Sequence, residues 1–240
     1  MWQERRERLH ENGLEIVTVA MDTGGWDAAH PFLEAAKPTH PALIDQEHSL
    51  DRLLGVINVP TGVWIDEEGT IVRPPEPAFA RPFAETMPQV VAAVVDYVSE
   101  VPSLPGVLAA ARRLPIGPGQ RVDPDRYYRA LCDWVEKGAD SEYALSPSRV
   151  IDRSRPMPPD VSAAAAHFEL AQHFHREGLL EAAKVHFGEA MRLQPENWTY
   201  KCQAWACMNP GSTPTEGYNQ AWLEAVDKIG IENYYERLDM

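Results

Sequence analysis

Cysteine is scarce in this chain and shows no paired spacing. Its 240 residues include three, Cys132, Cys202 and Cys207, and no two of them stand as C-x-x-C. An odd, sparse set excludes a disulfide-built scaffold and suits a reducing compartment. Positive charge is in deficit: 22 Lys and Arg face 36 Asp and Glu, for a net charge of −14. That balance argues against a nucleic-acid surface. Long apolar runs are missing as well. The longest, Val90 to Val98, is broken by Asp96, and it falls short of the roughly 18 residues of a membrane span. The first residues, Met1-Trp2-Gln3-Glu4-Arg5-Arg6-Glu7-Arg8, carry both signs of charge and no apolar centre, so no signal peptide is read there. The expectation is a cytoplasmic protein with no membrane span; an export signal upstream of Met1 is the alternative.

What is present is enough for one large or two modest domains, with an ordinary hydrophobic content of 44%. Trp2 to Glu11 has high helix propensity and is stopped by Asn12-Gly13. Leu14 to Ala20 reads as a buried strand, and Asp22-Thr23-Gly24-Gly25 as a loop. Trp26 to Lys37 reads as a helix whose stripe is Trp26, Ala29, Phe32, Leu33 and Ala36, with Pro31 in its first two turns. Pro41 to Asp45 is a short strand, and Ser49 to Leu54 a short helix. Val63-Trp64-Ile65 is β-branched and aromatic, Glu67-Glu68-Gly69 marks a tight turn, and Thr70-Ile71-Val72 returns beside it. Before this hairpin stands Val59-Pro60-Thr61, where a proline marks a strand start, an edge or a bend. Ala84 to Val98 reads as a closing helix.

The run Gly55-Val56-Ile57-Asn58-Val59-Pro60-Thr61 to Ile65-Asp66, then Gly69-Thr70-Ile71-Val72, resembles the second half of a thioredoxin fold of the TlpA and ResA redoxin branch. The order of elements over 1–98 is similar, including the extra strand around Leu43-Ile44. The resemblance implies thiol–disulfide oxidoreduction. It also implies a cis Pro60, and a substrate-facing loop of Val59, Pro60 and Thr61 that holds a disulfide-containing protein or small molecule by backbone bonds from Val59. The departure is equally plain. The family's central strand and its W-C-x-x-C loop are absent, so no residue here is assigned a catalytic role. Such chemistry needs a thiolate at a helix N-terminus with a resolving thiol one turn on. Without the central strand, the strands at Leu14–Ala20 and Val63–Asp66 each have an unpaired edge. Two readings follow: a chain that begins downstream of its true start, which is preferred, or a divergent sheet that closes by other means.

From Val101 to Pro124 the chain is rich in proline and glycine and reads as a connector, with a short helix at Leu108 to Arg113. Asp125 to Gly138 is helical, with Tyr128, Leu131 and Trp134 as its expected core face. Ser146 to Pro159 reads as a second linker. His167, Leu170, Ala171, Phe174, Gly178, Ala183, Phe187, Ala190 and Pro195 then stand at the spacings of a tetratricopeptide repeat, over 164–197. Only the first aromatic is replaced, by His167. A single repeat cannot bury its own face, so helices at 125–138 and Trp198–Met208 are its expected partners. A last helix, with Trp222, Ala225, Val226 and Ile229, leads to an aromatic end.

The remaining constellations are weak. No pair among His167, His173, His175 and His186 has the i, i+4 spacing that sets two imidazoles on one helix face, so no metal is expected. Cys202 and Cys207 lie roughly 140° apart around a helix, which suits two reduced, partly buried thiols. Asp22-Thr23-Gly24-Gly25 lacks a full phosphate-binding fingerprint, and Asp66-Glu67-Glu68 is a solvated turn. The expected architecture is therefore an α/β thioredoxin-like domain at 1–100 missing its first strand, a connector at 101–124, and an all-α domain at 125–240. The expected function is that of a redoxin-family oxidoreductase without its redox motif, with no cofactor. The alternative is a non-catalytic adaptor that holds a protein partner at the helical repeat.

Overall fold

A computed structural model describes residues 2–80, 103–154, 157–208 and 214–240; the helix expected at 84–98 lies outside them. The α/β part begins with α1 (Trp2–Leu9). Its last turn tightens into a 3-10 turn that ends at Gly13, with φ +98°. Leu14 still donates to the Leu9 carbonyl, at 3.2 Å. The Leu14 amide therefore serves the helix exit, and the first strand, which begins at Thr18, is shorter than the apolar run suggests. β1 is Thr18–Met21. It pairs parallel with β2 (Ala42–Asp45), from Thr18 opposite Ala42 to Met21 opposite Asp45, through the crossover helix α2 (Gly25–Ala36). After α3 (Ser49–Leu54), β3 (Thr61–Ile65) and β4 (Ile71–Pro77) form an antiparallel hairpin. Asp66 closes its turn by accepting from the Glu68 and Thr70 amides at 3.1 and 2.7 Å. Among the described residues the result is a pair of two-stranded sheets, and β1 and β3 belong to different ones.

A sheet two strands wide covers little of its helix. Of the stripe expected on α2, Ala29 is buried, whereas Trp26 and Phe32 are 61% and 50% exposed.

The regular elements described in the second part are helices: α4 (Leu104–Ala111), α5 (Pro124–Lys137), α6 (Pro147–Arg153), α7 (Pro159–Arg176), α8 (Leu180–Leu193), α9 (Trp198–Met208) and α10 (Pro214–Ile229). Prolines that read as linker punctuation turn out to open helices. Pro105, Pro124, Pro147 and Pro159 sit in the first turns, where no intrahelical amide is needed and φ is already helical. The stretch read as a second linker thus holds α6, and the short helix at 108–113 starts four residues earlier. Asp123 caps α5 through the Asp125 and Arg126 amides, at 3.1 and 2.9 Å. The fully buried face of α5 is Tyr127, Ala130 and Leu131; the expected Tyr128 and Trp134 pack against the same core from its edge, partly buried, and Tyr128 also carries the Arg5 guanidinium 3.6 Å above its ring centre.

α7 and α8 pack as a helical hairpin around Gly178, with φ +73°. Ala164, Phe168, Ala171, Ala183, Phe187 and Ala190 fill the seam between them, and Tyr200 and Ala204 of α9 complete it. Leu170, one of the repeat positions, is 38% exposed. Two further cores tie the parts together. One gathers Leu9, Trp64, Ala78, Tyr127, Leu131 and Leu238. The other gathers Phe79, Val122, Trp198, Trp222, Val226 and Tyr235.

Buried polar groups fix how the two parts meet. Arg73, 2% exposed, pairs with Glu76 through contacts of 2.5 and 3.0 Å. The same guanidinium donates to the carbonyls of Tyr143 and Asp239, at 2.8 and 2.7 Å. Asp51 accepts from Asn197 at 2.9 Å and from the Tyr200 hydroxyl. Gln172 donates to Thr23 and to the Gln46 carbonyl, at 2.9 and 3.0 Å. The Thr23 amide in turn bonds Gln203 at 2.9 Å. Such donors and acceptors would cost about 1–3 kcal/mol each if left unpaired. No helix among the described residues is long and apolar enough to cross a membrane.

Candidate functional site

The loop between α3 and β3 carries the residues singled out by the sequence. The Val59–Pro60 peptide bond is cis. Val59 is 50% exposed by its side chain, but its backbone is engaged. Its amide donates to the Asn58 side chain at 2.8 Å, and its carbonyl accepts from the Tyr235 hydroxyl at 3.0 Å. Asn58 in turn donates to the Tyr234 carbonyl at 2.9 Å, and the Thr61 hydroxyl donates to the Asn58 carbonyl at 2.7 Å. One residue upstream, the Ile57 carbonyl accepts the Trp198 amide at 2.7 Å. The N-terminus of α9 and the Tyr234-Tyr235 pair therefore sit directly against this loop.

Next to it lies a cavity of about 230 Å³, whose walls include Asn58, Thr61, Glu76, Arg121, Trp198 and Tyr234. A second cavity of about 320 Å³ adjoins it. Its walls include Leu53, Leu54, Ile71, Pro74, Met157 and Val161, and it is the more apolar of the two. Gly55, Pro75 and Glu196 line both, so the two form one groove between the α/β part and the helical part. Burial pushes the Glu76 carboxyl up against the downward pull of Arg73. Burial likewise pushes the Tyr235 hydroxyl up, so it stays a donor to Val59.

No disulfide joins Cys132, Cys202 and Cys207. Cys202 lies on α9, close enough to Tyr235 for a thiolate there to raise that hydroxyl further. Burial pushes the Cys207 thiol up to about 11, and Asp22 adds to the shift. That is the opposite of the activation a nucleophilic thiol needs. Asp22 itself accepts from the Gly24 amide at 2.8 Å, and its carboxyl is raised by burial. It closes a turn. Among the described residues no three His, Cys, Asp or Glu side chains converge as metal ligands.

Sequence reasoning did not reach Asn58, Trp198, Tyr234 and Tyr235 as parts of this site. The aromatic C-terminal end was visible, but its docking on a loop 176 residues away was not. Compared with known proteins, the chain matches no family model, no curated protein and no solved structure.

Proposed function

We propose that this chain is a non-catalytic binding protein. A redoxin-type platform and a helical repeat together hold an extended segment of a protein partner in the groove between them. The observation that carries this reading is the state of Val59: its amide and carbonyl, the groups a redoxin would offer to a disulfide substrate, are both taken within the chain. The exposed side chains of Leu53 (64%) and Met157 (46%) on the apolar cavity wall supply anchoring surface instead. The absence of a C-x-x-C pair and the raised Cys207 thiol support the same reading.

The test has two arms. In insulin-disulfide reduction, residues 1–240 should add nothing to dithiothreitol alone. In a displayed peptide library, binders should emerge whose affinity falls at least tenfold in Leu53→Glu and Met157→Glu. Turnover of insulin by this chain, abolished in Cys202→Ser, would overturn the reading, as would binders indifferent to both groove substitutions. A second reading has its own support. The separation of β1 and β3 into different sheets suits a redoxin whose central strand and redox cysteines lie upstream of Met1. A version extended upstream in frame would then reduce insulin where this chain does not.

A further inference from the structure

Ionisable side chains line the groove as well as apolar ones. Asp51, Glu76, Glu196 and Glu236 stand in its walls together with Arg52 and Arg121. Most of these charges are matched within the chain. Asp51 accepts from Asn197 and Tyr200, and Glu76 holds Arg73. Arg52 pairs with Glu169 at 3.3 Å. Arg121 donates to the Glu232 carbonyl and to the Asn233 side chain, at 3.2 Å each. Glu196 is different. It is exposed, it lines both cavities, and it takes part in none of the ion pairs among the described residues.

The helix that follows does not claim this carboxylate. Glu196 lies in the turn between α8 and α9, two residues before α9 begins. The first α9 amides are already satisfied. Those of Trp198 and Thr199 donate to the Ile57 carbonyl at 2.7 and 3.3 Å, and that of Tyr200 to the Asn197 side chain at 3.1 Å. Lys201, the cation of α9, lies over the Trp198 ring, 4.3 Å from its centre, and lines neither cavity. The turn itself is fixed, because the fully buried Asn197 donates to Asp51 at 2.9 Å and to the Gln194 side chain at 3.0 Å. A carboxylate is thus held where the two cavities join, unmatched by an ion pair.

The polar cavity suits a cationic side chain. Trp198 and Tyr234 help to wall it, and aromatic walls accept both the aliphatic stem and the charged head of lysine or arginine. The apolar cavity beside it, with Leu54, Ile71, Met157 and Val161, suits an aliphatic neighbour. The whole chain carries a net charge of −14, which draws in a cationic segment and repels an acidic one. We propose that the segment bound in this groove is cationic, with a lysine or arginine in the polar cavity paired to Glu196 and an apolar residue in the adjoining one. The inference rests on the groove being a peptide site, and it adds which peptides that site takes.

The experiment selects random displayed peptides on the full chain and measures the recovered sequences as labelled synthetic peptides. The expected binders carry a Lys or Arg close to apolar residues. Their affinity should fall at least fivefold in Glu196→Gln, or with alanine in place of their cation, and should weaken as salt rises. Leu53→Ser and Met157→Ser, which leave the charge of the groove alone, should also cost at least fivefold. Selection on Glu196→Lys should recover Asp or Glu where the parent recovers a cation. Glu196 is exposed, so Glu196→Gln should melt with the parent. Glu181→Gln removes an equal charge from an exposed position of α8 that lines neither cavity, and should change binding less than twofold. Neutral or acidic binders that need Leu53 but ignore Glu196→Gln would overturn this inference and leave the groove reading standing. An equal loss in Glu181→Gln would overturn it as well, by reducing it to overall charge attraction. No binders, or binders indifferent to Leu53→Ser and Met157→Ser, would overturn both.

Discussion

Acid should unfold this protein in part through one residue, His48. It precedes α3 in a left-handed conformation, φ +55°, and is 3% exposed. Its ring packs edge-on against Phe168 of the helical hairpin at 5.0 Å, and neither ring nitrogen has a hydrogen-bond partner among the described residues. Burial pushes the imidazole down to about 4 from 6.5, against the upward pull of Asp45. Asp45 is itself occupied, accepting from the Ser49 and Leu50 amides at 2.9 Å each. The sign follows from linkage. Below pH 6.5 the unfolded chain binds a proton that the folded one refuses, so stability is lost as pH falls from 6.5 towards 4. The loss is about 1 kcal/mol between pH 7 and pH 5.5, and about 3 kcal/mol by pH 4. Urea unfolding of the parent and of His48→Leu across this range isolates the residue. The difference between the two curves should grow by those amounts as pH falls, because Leu has nothing to protonate. Parallel curves from pH 7 to pH 4 would refute the reasoning.

Other substitutions test other joints. Arg73→Ala strands the buried Glu76 carboxylate and the Tyr143 and Asp239 carbonyls. It should cost about 3–5 kcal/mol in urea unfolding, while Arg73→Met with Glu76→Leu should recover more than half of that. Gly188 lies in the middle of α8, and a methyl added there meets nothing within 4 Å. Gly188→Ala should therefore raise stability by about 0.5–1 kcal/mol, and a fall in Tm would contradict it. At Gly62, on β3 beside the candidate loop, a methyl runs into the Tyr127 hydroxyl and lies 2.9 Å from Ala78 Cβ. Tyr127 cannot retreat freely, because its oxygen accepts the Trp64 indole at 2.8 Å. Gly62→Ala should destabilise by about 1–3 kcal/mol, and a neutral result in thermal melting would show that this contact is soft.

Local features were the legible ones. The hairpin turn at Asp66–Thr70, the helix end at Gly13 and the alanine–phenylalanine seam of α7 and α8 all follow from residue types at fixed short spacings. Such spacings are enforced by the backbone itself. Boundaries were misread where a local signal has two uses. Pro147 and Pro159 break a chain when they fall inside an element, but at its first turn they start one. Leu14 to Val17 looked like strand because it is apolar and β-branched, yet its first amide is spent closing the helix before it. The stripe of α2 was periodic as expected, but Trp26 and Phe32 stay exposed because the sheet beneath is too narrow.

The sequence by itself determined the type of most segments, helix or strand, that a proline opens β3, and that the three cysteines form no C-x-x-C pair. Tertiary structure alone decided the pairings: Tyr235 on the Val59 carbonyl, Asp51 between Asn197 and Tyr200, Arg73 between β4 and the C-terminal end, His167 against His186. The physical reason is range. Turn, cap and helix preferences act over a few residues, whereas a buried donor must find an acceptor wherever packing brings one, and here that is 19 residues away in one case and 176 in another.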